Sequence, residues 1–130
     1  MKRIIILFLV YVVLFTTSCK TDGEVGVGEV YIQNNTSAEL KIETTYKSQF
    51  VNTCPSCMSP SGQALLIGSD SDFGASPAIQ QIISKIRIYR NDSLKIESGA
   101  PFENLEVGTT RGKGRYDKRY TIYINNSDLE

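Results

Sequence analysis

The feature that most constrains the fold is an alternation of apolar and polar residues that begins near residue 29. It is clearest at 40–43 (LKIE), 86–89 (IRIY) and 120–124 (YTIYI). Successive side chains of a β-strand point to opposite faces, so this period of two predicts strands with one buried face. Helical spacing of isoleucines occurs only within 77–85, which predicts one or two helical turns there. The sequence therefore predicts an all-β domain.

About six short strands, separated by clusters of Gly, Pro, Asn and Ser, predict an antiparallel β-sandwich, immunoglobulin-like or transthyretin-like in outline. We expect two hairpins, one turning at 34–37 and the other at 91–93, because Asn, Asp and Ser favour tight turns. Residues 64–67 form an apolar run that suits a buried strand. The expected core consists of Val30, Ile32, Leu40, Ile42, Leu65, Ile67, Ile86, Ile88, Leu94, Ile96, Ile122 and Ile124.

Residues 1–18 have the pattern of a signal peptide. Two cations, Lys2 and Arg3, precede an apolar run at 4–15. As a short helix this run covers roughly 18 Å, less than the roughly 30 Å hydrocarbon core of a bilayer, so we expect cleavage after export. The following Thr-Thr-Ser-Cys resembles a bacterial lipobox, with Thr16 where leucine is most usual. The resemblance implies that Cys19 carries fatty acyl chains such as palmitate. Plain secretion and a retained membrane segment are the alternatives.

Three segments follow from this pattern: a lipoprotein signal peptide (1–18), a lipid-anchored flexible tether (19–28) and a β-sandwich domain (29–130). With Cys19 acylated, Cys54 and Cys57 remain as one pair in a CPSC motif. We expect a structural disulfide, with a redox role, free thiols or a metal site as alternatives. Pro60 limits any helix after Cys57, and two cysteines without histidine make a poor zinc site.

Composition excludes several classes of function. Removal of residues 1–18 leaves 112 of 130 residues, enough for one domain, with 12 basic and 14 acidic residues and a net charge of −2. This balance gives no indication of nucleic-acid binding. The chain has no histidine, which excludes histidine-based catalysis and histidine metal ligation. We expect no cofactor and no bound metal.

Two charged segments are candidate binding sites. Five cations, Arg111, Lys113, Arg115, Lys118 and Arg119, form a candidate anion-binding loop, because the first three would share a face of one extended strand. The alternative, favoured by the glycines, is a solvated hairpin loop. The acidic segment 69–74 has alternating aspartates that suit calcium, but it lacks the remaining ligands of a calcium loop, so a solvated turn is favoured.

The chain resembles small lipoproteins of Bacteroidetes that have a β-sandwich domain. The resemblance rests on the turn at 34–37, the PSGQ turn at 60–63, the SKIRIY segment at 84–89 and the closing strand with its DLE end at 120–130. It implies attachment to the outer membrane through lipid on Cys19, and it supplies no catalytic residue. The charged residues that follow Cys19 resemble signals for surface export. Ser93, in Asp-Ser-Leu, matches a glycosylation pattern of these bacteria.

Taken together, these patterns predict a non-enzymatic envelope lipoprotein that binds an unknown protein or glycan partner through its loops. The alternative is an inhibitor or immunity-type lipoprotein that inserts the disulfide-containing segment 47–61 into a secreted enzyme. A thiol oxidoreductase is the third hypothesis. The carboxylates at 103 and 106 give no indication of catalysis, because acidic residues in polar stretches are usually solvated.

Overall fold

The computed structural model of the protein describes residues 25–49, 51–112 and 115–130, with the backbone alone at 110–112, 115 and 116. The structure has a four-residue helix α1 (Ile79–Ile82) and a 3₁₀ helix (Asn126–Leu129). The strands are β1 (Val25–Asn34), β2 (Leu40–Tyr46), β3 (Ser56–Ser59), β4 (Ala64–Phe73), β5 (Ile83–Arg90), β6 (Ser93–Gly99), β7 (Leu105–Gly112) and β8 (Arg115–Ile124).

The eight strands form two four-stranded sheets, which confirms the predicted all-β sandwich. The first sheet has the order β4-β1-β8-β7 and the second has the order β3-β2-β5-β6. All neighbouring strands are antiparallel except β1 and β8, which run parallel from the pair Val25 and Arg115 to the pair Asn34 and Ile124. The expectation of a purely antiparallel arrangement is thus corrected at this pair. No hairpin connects the first and last strands, so no tight turn forces them to run in opposite directions.

One of the two predicted hairpins is present. β5 and β6 are joined by Asn91 and Asp92, whose φ angles of 50° and 62° suit a tight two-residue turn. The hairpin predicted around 34–37 is wrong, because β1 pairs with β4 and β8 whereas β2 pairs with β3 and β5. The segment after Asn34 is instead an arch that carries the chain from one sheet to the other.

The core lies between the sheets, and nine of the twelve expected core residues are buried. Leu65 and Ile96 are partly buried against the core. Leu94 was expected in the core but is 48% exposed, because it lies on the edge strand β6 opposite Tyr89, on the face that points away from the core. Segments outside the strands also supply buried residues that the alternation did not reveal: Val51, Cys54, Ile79, Phe102 and Leu129.

β1 begins four residues before the expected start of the domain. Residues 25–28, assigned to the flexible tether, lie in this strand, so that boundary is corrected. A Cβ atom at Gly26 would lie 2.1 Å from the backbone carbon of Ala75, and one at Gly28 would lie 2.8 Å from Cδ1 of Ile82. The glycines therefore permit close packing of the chain after β4, rather than flexibility.

The acidic segment 69–74 is also corrected. Its residues as far as Phe73 belong to β4 and pair with the first half of β1, with Ser71 opposite Val27. Gly74, with φ of 84°, follows the end of the strand. The solvated turn predicted here is therefore replaced by an edge strand, because alternating serines and aspartates can occupy the open side of a sheet edge.

Candidate functional site

A cleft of about 290 Å³ opens between the two sheets where β5 and β6 face the end of β8. Its floor is apolar and its rim is polar. The floor residues are Ile86, Ile96, Phe102, Ile122 and Ile124. The rim residues are Glu97, Ser98, Glu103, Asn104, Tyr123 and Asp128.

The connection between β6 and β7 forms one wall of this cleft. Phe102 is the one large apolar residue of 100–104, and burial of its ring, 7% exposed, holds the connection against the core. Asn104 adopts a positive φ of 54°, which its short polar side chain tolerates. Its carbonyl oxygen accepts a 3.2 Å hydrogen bond from the backbone N–H of Tyr123, so the wall is fixed to β8.

The 3₁₀ helix forms another part of the rim. Oδ2 of Asp128 accepts a 2.7 Å hydrogen bond from the backbone N–H of Asn125, and the N–H of Asp128 donates a 3.0 Å bond to the carbonyl of Asn125. Leu129 is 4% exposed and anchors the helix in the core. These contacts hold the Asp128 carboxylate in place at the rim.

The rim carries negative charge that is only partly neutralised. Glu97 accepts a 2.6 Å bond from Nε of Arg87, and Lys85 Nζ lies 3.7 Å from its other oxygen. The hydrogen bond from Arg87 is the main reason that the pKa of Glu97 lies below its usual value. Among the described residues, no ion pair involves Glu103 or Asp128. These two carboxylates can therefore receive an incoming cation.

Tyr123 has a separate partner outside the cleft. Its hydroxyl donates a 3.0 Å hydrogen bond to Oε2 of Glu106, and this bond, with burial, raises the pKa of Tyr123. The hydroxyl therefore stays neutral at physiological pH, and its direction is fixed.

An apolar floor below two carboxylates suits an aliphatic chain that ends in a cation. The side chains of lysine and arginine have this form, because their apolar stems can be buried while the charged end remains at a polar rim. The volume lies near the lower limit of small-molecule pockets, roughly 300 Å³, so one side chain or one small amine fits better than a large ligand.

The structure contains the disulfide expected between Cys54 and Cys57. Its segment is held against the sandwich, because Val51 and Cys54 are buried. The hydroxyl of Tyr46 accepts a 2.6 Å hydrogen bond from the N–H of Cys54 and donates a 2.6 Å bond to the carbonyl of Ile67. Val51 and Cys54 thus hold this part of 47–61 against the core, and the inhibitor alternative stays a prediction.

The five predicted anion-binding cations do not form one extended strip. Arg111 lies on β7 opposite Tyr116, and Arg115 lies on β8 opposite Gly112. The strip was expected on one continuous strand, but the chain reverses direction between these residues. Lys113 lies outside the described residues.

The last two cations, Lys118 and Arg119, are neighbours on β8 and therefore point to opposite faces of the sheet. The guanidinium of Arg119 lies 4.2 Å from the centre of the Tyr31 ring, a cation–π contact on the outer face. The hydroxyl of Tyr31 donates a 2.6 Å bond to Glu29, so this arginine belongs to a network of neighbouring side chains.

Cys19 lies outside the described residues, so its lipidation remains a prediction. In the described ranges, no three His, Cys, Asp or Glu side chains are grouped closely enough to hold a metal ion. The same part of the chain contains no helix long and apolar enough to cross a membrane. No protein-family model, curated protein or solved structure matches this chain.

The residues of the cleft were not identified from the sequence. They come from separate segments between Ile86 and Asp128, and no local motif connects them. A weak signal existed: Phe102 is a single aromatic residue in a short polar connection, and such a residue often packs into the core. The acidic rim has no local signal, because Glu103 and Asp128 are ordinary residues of polar stretches.

Proposed function

We propose that this protein is a lipid-anchored envelope lipoprotein whose sandwich binds a partner protein without catalysing a reaction. The partner contributes a lysine or arginine side chain that enters the cleft. The observation that carries this proposal is the pair of carboxylates, Glu103 and Asp128, above a floor of isoleucines. Binding through loops is thereby narrowed to one site, because the β6–β7 connection and the 3₁₀ helix both line the cleft.

The direction of β1 supports a partner located away from the membrane. β1 begins at Val25 and pairs in parallel with β8, whose last residues, Ile122 and Ile124, line the cleft. Ten strand residues at about 3.3 Å each separate the two ends of β1 by roughly 30 Å. Lipid on Cys19 would hold the beginning of β1 near the bilayer and leave the cleft at the far end, open to a partner in the periplasm or outside the cell.

The cleft is tested by NMR titration of the protein with Nα-acetyl-lysine methylamide and Nα-acetyl-arginine methylamide. The neutral analogue Nα-acetyl-norleucine methylamide has the apolar stem without the charge. We expect the amide signals of Ser98 and Asn104 to shift with the cationic probes and to shift far less with the neutral one. Equal shifts with all three probes would contradict the role of the carboxylates.

The matched variants are Glu103→Gln with Asp128→Asn, against Glu39→Gln with Asp92→Asn. Both double changes alter the net charge equally, but Glu39 and Asp92 do not line the cleft. The first pair should abolish the shifts caused by the cationic probes, and the second should leave them unchanged. Retention of the shifts in the first pair would show that binding occurs elsewhere.

The anchor is tested by the intact mass of the protein from a bacterial envelope, with Cys19→Ala as the control. A mass increase that corresponds to acyl chains and depends on Cys19 would support the lipoprotein assignment, and an unshifted mass would contradict it. Removal of the domain by protease added to intact cells would place it on the surface. Protection from the protease would place it in the periplasm.

A further inference from the structure

We propose that the end of the sandwich where β1 begins rests on the bilayer and contacts anionic lipid headgroups. We call this end the proximal end and define it by the backbone row of Phe73, Val25 and Arg115. The inference rests on the proposed lipidation of Cys19 and adds an orientation and a lipid partner to it.

The length of chain before β1 limits the distance of the proximal end from the membrane. Only residues 20–24 separate Cys19 from Val25, the first residue of β1. A fully extended chain spans at most about 3.6 Å per residue, so the two Cα atoms lie no more than roughly 20 Å apart. This distance is shorter than the sandwich is long. An acylated Cys19 therefore keeps the proximal end, and not the cleft, beside the headgroups.

An exposed aromatic residue lies at the proximal end. Phe73 pairs with Val25 at the last position of the edge strand β4, and it is 80% exposed. The other exposed large apolar residues of the described chain, Met58, Leu94 and Val107, have exposures near 50%. A single exposed apolar residue is common on protein surfaces, but an aromatic ring at an end that is held beside a bilayer can enter the boundary between headgroups and acyl chains.

The backbone also brings basic residues to this end. Arg115 pairs with Val25 and with Gly112, and Gly112 follows Arg111. Lys118 lies three residues further along β8, opposite Gly28 on β1. Basic clusters close to a membrane are attracted to anionic headgroups within about a Debye length of the surface. The tether, with its maximum length of roughly 20 Å, is short enough to let these residues approach the surface to that distance.

The acidic residues at the proximal end lie mainly on β4, away from the basic residues of β7 and β8. Asp70 and Asp72 are on β4, and Asp117 is on β8 among the cations. The basic residues therefore belong to β7 and β8, while Phe73 lies on β4 with the two aspartates. Attraction to anionic lipid on one side and insertion of an aromatic ring on the other fit a bilayer surface better than a single soluble anion.

A tryptophan reporter tests this orientation, because the chain has no tryptophan of its own. The full lipoprotein with Phe73→Trp is purified from membranes and incorporated into vesicles of phosphatidylethanolamine and phosphatidylglycerol that contain brominated phospholipid. The control is Met58→Trp. Met58 is half exposed and precedes Ser59, which contacts Asn34 at the opposite end of β1.

We expect brominated lipid to reduce the fluorescence of the Phe73→Trp protein about twofold and to leave that of the Met58→Trp protein nearly unchanged. Replacement of phosphatidylglycerol by phosphatidylcholine should weaken the quenching. Arg115→Glu with Lys118→Glu should also weaken it, whereas the matched pair Arg90→Glu with Lys95→Glu, on β5 and β6, should not.

The outcomes separate the two proposals. A lipid-shifted mass with no quenching of the Phe73→Trp protein, or with equal quenching of both reporters, would overturn the membrane contact and leave the anchor intact. An unshifted mass would overturn the anchor and the contact together. Quenching that is insensitive to phosphatidylglycerol and to the charge changes would overturn the role of anionic headgroups.

Discussion

The side-chain amide of Asn34 donates a 2.9 Å hydrogen bond to the main-chain carbonyl of Ser59, which connects the end of β1 in one sheet to the end of β3 in the other. The same nitrogen donates a 2.9 Å bond to the carbonyl of Ala38. The amide oxygen accepts bonds of 3.0 Å and 2.7 Å from the N–H and hydroxyl of Thr36. Asn34 is fully buried, and these bonds satisfy the whole side-chain amide.

Replacement of this asparagine should weaken the sandwich. Asn34→Leu takes the amide away from the buried carbonyl of Ser59 and from the N–H of Thr36, and each such loss costs about 1–3 kcal/mol. We expect the free energy of unfolding, measured by urea denaturation, to fall by about 3 kcal/mol. Asn35→Leu is the matched control, because Asn35 is exposed, and its effect should be below about 0.5 kcal/mol. Equal effects would show that the bonds of Asn34 are not the cause.

A methyl group added at Gly26 should destabilise the domain. The new Cβ atom would lie 2.1 Å from the backbone of Ala75, so the chain after β4 would have to move. We expect Gly26→Ala to lower the free energy of unfolding by about 3 kcal/mol, near the upper part of the range for overpacking. Gly108→Ala is the control, since its nearest contact would be 3.9 Å away, and it should be nearly neutral. A neutral Gly26→Ala would mean that this chain is not packed on β1.

The hydroxyl of Tyr46 should contribute to the stability of the disulfide segment. Tyr46→Phe removes the partner of the N–H of Cys54 and of the carbonyl of Ile67, at a cost of about 1–3 kcal/mol in urea denaturation. Tyr89→Phe removes one 3.0 Å bond, to Glu43 on the outer face, and should cost under about 1 kcal/mol. A smaller effect at Tyr46 than at Tyr89 would contradict this account.

The ion pair of Arg87 and Glu97 should make stability depend on acidity. The pKa of Glu97 in the folded protein lies below the ordinary value of 4.5 because of its hydrogen bond and attraction to Arg87, with a smaller contribution from Lys85. The ionised carboxylate therefore contributes stability above about pH 4.5, and this contribution is lost as the pH falls through the lower folded pKa.

NMR titration of the Glu97 carboxyl carbon measures this effect directly. Arg87→Gln should return the pKa close to its ordinary value and flatten the dependence of unfolding free energy on pH below about 4.5. Lys85→Gln should have a smaller effect, because Lys85 is the weaker of the two causes. A larger shift from Lys85→Gln than from Arg87→Gln would reverse this assignment.

Alternation in the sequence was sufficient to predict the strands with one buried face and most of the core. It did not reveal β7, because Leu105–Gly112 lies at a sheet edge and is rich in threonine, glycine and charge. The arch was mistaken for a hairpin, since Asn, Thr and Ser favour both. The arch is stabilised by the hydrogen bond from the Asn34 amide to the carbonyl of Ser59, twenty-five residues further along the chain. A contact over this separation cannot be predicted from the local sequence.

The glycines near the beginning of β1 show the same limit. In sequence, Gly26 and Gly28 resemble a flexible linker, yet close contact with the chain around Ala75 and with Ile82 requires them. The cleft could not be predicted for a related reason. Most of its apolar floor was predicted as part of the core. Its acidic rim depends on how the β6–β7 connection and the 3₁₀ helix pack against β8, which no local pattern indicates.

The parallel pairing of the first and last strands has a consequence for the time at which the protein can fold. β1 lies inside its sheet, and one of its two neighbours, β8, is completed only at Ile124, long after β1 in the sequence. Pairings between such distant segments form late and make folding slow. If the chain is exported N-terminus first, as proposed, this sheet cannot close while β8 is still in the cytoplasm. Under the proposed export, the topology would delay folding of the sandwich until β8 has been translocated.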